Sequence, residues 1–120
     1  MAGIEGKSFD SADETREFDS GKLDVLRFEG ATVARATLEP GWRWSENMKS
    51  RVGTDSCQQH HLGYVLSGKL HVVADDGSEA DAGVGDAYQI LPGHDAWVVG
   101  DEPFVALEFQ SKTAETYAKG

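Results

Sequence analysis

A single cysteine, Cys57, stands among the 120 residues of this chain, so no disulfide can form within it. Basic residues are scarce as well: 11 Lys and Arg face 21 Asp and Glu, a formal net charge of −10. Phosphate recognition rests on clustered Lys and Arg, so neither nucleic acid nor an anionic membrane is expected as a partner, while a cationic one remains open. No apolar run approaches the roughly 18 residues of a membrane-spanning helix, and the start of the chain carries no signal-peptide core. The expectation is a cytoplasmic protein. Repeats, low-complexity tracts and extended helical periodicity are also missing, and the length suits one domain whose core needs no staples.

What the chain does have is a succession of short, strand-like segments. Residues 1–20, with Asp10, Asp13, Glu14, Glu17 and Asp19 and few apolar side chains, read as an acidic arm lying against the domain. The domain proper is expected over 21–112. Segments 23–28 and 31–38 carry β-branched and aromatic residues near period two, separated by a Glu29-Gly30 turn. Pro40-Gly41 breaks the run, and Trp42-Arg43-Trp44, if extended, puts both indoles on one face and the guanidinium on the other. A polar loop is expected over 47–53. Further strands are expected at 61–66, 69–74, 86–91, 96–99 and 104–110, with turns at Ser67-Gly68, Asp75-Asp76-Gly77, Gly83-Val84-Gly85, Pro92-Gly93 and 100–103. Many short strands at this spacing mean an all-β sandwich or barrel. Only 113–119 has helical character, so 113–120 is expected as a short C-terminal helix or tail, stable only if docked.

Two blocks framed by glycines carry a further signal: Cys57-Gln58-Gln59-His60-His61 leading to Gly68, and Gly85 leading to Pro92-Gly93-His94. With these, residues from about 38 to 110 resemble the cupins, RmlC-like jelly-roll barrels built as a double-stranded β-helix. Counting back from Gly68 by the spacing of the first cupin motif puts His61 where that family has a glutamate, and Cys57 and Asp55 where it has two histidines. In the second motif Gly85 and Gly93 keep the framework, the last metal histidine falls on Ala96, and His94 stands two residues earlier. The resemblance implies the fold and a site inside the barrel. It implies no particular reaction, because this fold hosts isomerases, dioxygenases, lyases and ligand-binding regulators.

Cupin register points His61 inward, on one face with Gly63 and Val65; Asp55 and Cys57 share a face, as do His94 and Ala96. A thiolate, two imidazoles and a carboxylate would then converge, which makes Cys57, His61, His94 and Asp55 candidate ligands of a divalent metal such as Zn, Fe or Ni. The bland alternative is a cysteine that only packs and a histidine bonded to a buried carbonyl. In a metal-free enzyme His61 is the catalytic candidate, as the proton-transfer group. Trp42, Trp44, Tyr88 and Trp97 are candidates for a pocket wall and Gln59 for a polar ligand contact, although a core or a subunit interface accounts for the tryptophans too. His60 and His71 are expected to face solvent. The functional expectation is a small-molecule-binding cupin, either a metal-dependent enzyme or a metal-free binding or sensing module. A homodimer is expected because an open two-sheet barrel leaves edge strands to be covered.

Overall fold

Period-two patterning resolves, in the computed structural model, into nine strands among the described residues, which are 3–109. They are β1 (Glu14–Phe18), β2 (Gly21–Phe28), β3 (Ala31–Leu38), β4 (His61–Ser67), β5 (Lys69–Ala74), β6 (Glu79–Gly83), β7 (Ala87–Ile90), β8 (His94–Val98) and β9 (Phe104–Phe109). Every ladder is antiparallel, and the strands form two sheets in the orders β1-β2-β3-β9-β4-β7 and β6-β5-β8. This is an all-β jelly roll. Its inner faces alternate as the sequence does: His94, Ala96 and Val98 of β8 and Phe104, Ala106 and Glu108 of β9 are buried, while their neighbours in sequence are more exposed. Phe104, 1% exposed, alone contributes roughly 1.5–3 kcal/mol of apolar burial. Gly68 shows why the framework glycine stands there, since its φ is 75° and a Cβ would lie 2.4 Å from the Pro103 carbonyl oxygen.

Three segments differ from the expectation. Within the acidic arm expected over 1–20, Glu14–Phe18 is strand β1, paired along its whole length with β2, and Phe18 packs against the core. Local cations make this possible. Asp13 accepts from Lys7 Nζ at 2.9 Å and from the Arg27 backbone N–H at 2.7 Å, and Glu14 is ion-paired with Arg16 and Arg27. The polar loop expected over 47–53 is instead part of two short helical turns, α1 (Trp44–Asn47) and α2 (Lys49–Val52). Asn47 Oδ1 accepts from the Arg43 backbone N–H at 2.8 Å, and Gly53, at φ 85°, closes the second turn. Strand β6, Glu-Ala-Asp-Ala-Gly, has no strand-like composition of its own and is formed by pairing with β5. The helix expected at 113–119 lies outside the described residues.

Two isolated bridges bring the site together. Arg43 pairs with Trp97, and the Val98 N–H donates to the Trp42 carbonyl at 3.0 Å, which lays Trp42 and Trp44 against β8. Cys57 pairs with His94: Cys57 N–H donates to the His94 carbonyl at 2.7 Å, and Gly93 N–H donates to the Cys57 carbonyl at 2.7 Å.

Candidate functional site

Four chain segments deliver the polar groups at the inner end of the barrel. The Cys57 bridge fixes the thiol, the first residue of β4 supplies His61, the first of β8 supplies His94, and β9 supplies Glu108. Cys57 Sγ lies 3.8 Å from His61 Nε2, the two imidazole rings meet edge to face with centroids 5.0 Å apart, and the ligating atoms of Cys57, His61 and His94 all lie within 4.8 Å of one another. Each imidazole is held from behind. His61 Nδ1–H donates to Glu108 Oε1 at 2.6 Å, and His94 Nδ1–H donates to the Leu91 carbonyl at 2.9 Å. Glu108, 3% exposed, also accepts from Tyr88 Oη–H at 2.7 Å.

The electrostatics follow from this packing. Burial alone would raise the Cys57 thiol, but hydrogen bonds from His61 and His94 outweigh it and bring it down to about 6. Burial would likewise lower His61, yet Cys57 and Glu108 hold its proton, up to about 9. Each partner thus favours the charged form of the other, thiolate beside imidazolium. Burial and then the Glu108 charge push the Tyr88 phenol well above its ordinary value, so it remains a donor.

Behind the cluster lies a cavity of about 80 Å³, walled largely by apolar side chains including Trp42, Trp44, Met48 and Phe104 and closed at the polar end by Cys57, His61, His94, Tyr88 and Glu108. A wider cleft of about 610 Å³ shares Tyr88 and Ile90 with it, and carries Asp75, Asp76, Glu79 and Asp81 on its lining.

Cys57, His61 and His94 thus meet, and Trp42, Trp44 and Tyr88 line the cavity beside them. Asp55 does not join: its carboxylate is fully exposed and lies 3.9 Å from Lys49 Nζ. It precedes the bridge at Cys57 and belongs to no strand, so period two does not carry it inward. Trp97 faces outward on β8, packed against His71 with centroids 4.7 Å apart and beneath the Arg43 guanidinium at 4.2 Å. Gln59 is half-buried and is not part of the cavity wall. Sequence reasoning missed Glu108 and Gly63. Glu108 carries a visible signal, a carboxylate at the inward period of Phe104 and Ala106. Gly63 lies opposite both Tyr88 and Glu108 in the register.

No protein-family model matches the chain, and no curated protein matches it. Solved structures do. A protein of unknown function from Rhizobium leguminosarum is similar with a TM-score of 0.65 and 16% identity, over 90% of this chain and 96% of that one. An RmlC-like cupin from Shewanella frigidimarina has a TM-score of 0.57 and 17% identity over 87% of each chain. An oxalate decarboxylase from Bacillus subtilis has a TM-score of 0.54 and 28% identity over 82% of this chain but 27% of its own, so this chain spans only a part of that enzyme. That decarboxylase holds Mn(II) centres. The chain thus shares the fold of these RmlC-like cupins, as the glycine framework implied.

Proposed function

We propose that this cupin takes a small molecule into the barrel cavity and that Cys57, His61 and His94 hold one divalent metal beside it. The observation that carries this reading is that Cys57, His61 and His94 each bring a ligating atom within 4.8 Å of the others, while both imidazoles are oriented from behind through Nδ1, by Glu108 and by the Leu91 carbonyl. A thiolate with two imidazoles fits Zn²⁺, and also Fe²⁺ or Ni²⁺, better than the hard cations that prefer oxygen ligands. Bound there, the metal would supply Lewis acidity toward a ligand atom. The chain's own contribution is orientation: Glu108 fixes the His61 tautomer, and Tyr88 holds Glu108. Because Cys57 must stay reduced to serve, a reducing, cytoplasmic setting fits the site.

Ala96, 5% exposed at the position of the last cupin histidine, favours the second reading, a metal-free binding or sensing module in which His61 moves protons. Titration of metal-free protein with Co²⁺ and Zn²⁺ separates the two. Stoichiometric binding with a sulfur-to-cobalt charge-transfer band is expected, abolished by Cys57→Ser and His61→Ala in folded protein and weakened about 10–100-fold by Glu108→Gln. Stoichiometric metal that survives His61→Ala would overturn the ligand set, and no binding by the wild type would leave the metal-free module.

We also propose that the chain is a homodimer joined through the outer face of the six-stranded sheet. That face exposes Leu62, Tyr64 and Leu66 of β4 beside Phe109 of β9, at 45%, 41%, 45% and 37%. With a net charge of −10, two copies repel each other over most of their surface, and this apolar patch on β4 and β9 is where they can approach.

A further inference from the structure

Cavity, rim and one unpaired donor together say what kind of molecule the site selects. Among the described residues no Lys or Arg lines the cavity, whose wall away from the Cys57–His61–His94 end is apolar. The adjoining cleft has Asp75 and Asp76 among its lining residues and no Lys or Arg, while Glu79 and Asp81, also along it, are ion-paired with His71. An anion passing this cleft meets Asp75 and Asp76 and finds no guanidinium or ammonium inside, and the His61 ring is already engaged by Cys57 and Glu108. The third observation points to a ligand group. Trp42 is 7% exposed and lines the cavity, and its Nε1 is the one buried side-chain nitrogen or oxygen without a hydrogen-bond partner among the described residues. A dry indole N–H is costly unless an acceptor reaches it, and native interiors rarely leave such a donor alone. The volume limits size: at roughly 10–15 Å³ per water-sized group, a cavity of about 80 Å³ accommodates on the order of five to eight such groups.

We propose that the cavity selects an uncharged, compact, largely apolar molecule bearing a carbonyl or ether oxygen, and that Trp42 Nε1–H is the donor that recognises this oxygen. The proposal rests on the cavity being the ligand site and names the chemistry of its occupant. It separates this chain from oxalate decarboxylase, whose name gives it a small dicarboxylate to act on.

Three compact probes test it: cyclohexanone, cyclohexane and cyclopentanecarboxylate, each titrated into metal-free and Zn²⁺-treated protein with the indole N–H resonances followed by NMR. Cyclohexanone should shift the Trp42 indole N–H downfield and bind at least about tenfold tighter than the carboxylate in the metal-free protein. Trp42→Phe should weaken cyclohexanone about fivefold more than it weakens cyclohexane, which shares the altered wall but has no oxygen to accept from the indole. Equal affinity for ketone and carboxylate in the metal-free protein, an unmoved Trp42 resonance at saturation, or no binding of any probe would each overturn the proposal. The wild-type resonance decides the matter even where the variant does not fold. Metal content, measured separately, can fail while the preference for the ketone stands, so the two readings fall independently.

Discussion

Gly63 determines whether Tyr88 can reach Glu108. It sits on β4 between them, and a Cβ there would lie 2.5 Å from Tyr88 Oη and 2.6 Å from the Leu107 carbonyl oxygen. Gly63→Ala should therefore push the phenol aside, leave Glu108 with one donor fewer, and cost roughly 1–3 kcal/mol in chemical denaturation. Tyr88→Phe removes the same hydrogen bond without the clash and should cost less, about 1 kcal/mol. If Gly63→Ala were as stable as the wild type, the close approach would have no energetic meaning. At this scale the sequence disclosed the cluster only in part. Cys57, His61 and His94 were legible because the turn glycines set their spacing. Glu108 was not, because the motif spacing stops short of β9, and the reason for Gly63 exists only once Tyr88 and Glu108 are placed on either side of it.

Strand β6 is an element that its own residues do not specify. Its backbone follows β5, and its two carboxylates are drawn to one cation: His71 Nδ1–H donates to Asp81, at 2.5 Å, and His71 Nε2–H donates to Glu79 at 2.7 Å. Trp97 packs against the same imidazole at a tilt, and the Arg43 guanidinium lies over the indole. These bonds, Asp81 first, raise the His71 pKa above its ordinary value. A raised folded-state pKa means that the clamp is fully present below the unfolded value of about 6.5 and is lost as pH rises through the folded one. Amide exchange in β6, corrected for its intrinsic pH dependence, should accordingly speed up relative to β9 as the pH rises above the ordinary histidine value of about 6.5, and His71→Gln should remove that difference. A β6 whose protection is independent of pH in the wild type would show that backbone pairing alone holds it. This explains why β6 escaped the sequence reading while β3 and β5 did not: β3 and β5 carry β-branched residues (Thr32, Val33 and Thr37; Val72 and Val73), whereas β6 has none and is a strand by tertiary contact. The same holds for α1 and α2, whose polar sequence reads as loop until Asn47 bonds back to Arg43 and Asp95 Oδ1 accepts from the Ser45 N–H at 3.1 Å.

For the whole molecule, the six-stranded sheet has two faces with different fates. Its inner face packs on the three-stranded sheet and walls the cavity, while its outer face leaves Leu62, Tyr64, Leu66 and Phe109 in water. A stable dimer buries on the order of 800 Å² per partner. Four large side chains exposed together on adjacent strands form the centre of such a patch, and a two-fold axis through it would place each β4 against the partner's sheet. The proposed assembly therefore predicts a light-scattering mass of twice the 13.0 kDa chain mass that persists on dilution to micromolar protein. Tyr64→Lys and Leu66→Lys bring like charges to the centre of that face and should shift the mass to that of one chain, with unchanged circular dichroism and unchanged metal and probe binding, because both side chains point away from the cavity. A wild-type chain that is monomeric at every accessible concentration, or a dimer that tolerates both substitutions, would move the interface elsewhere and leave the apolar outer face of β4 to a different partner.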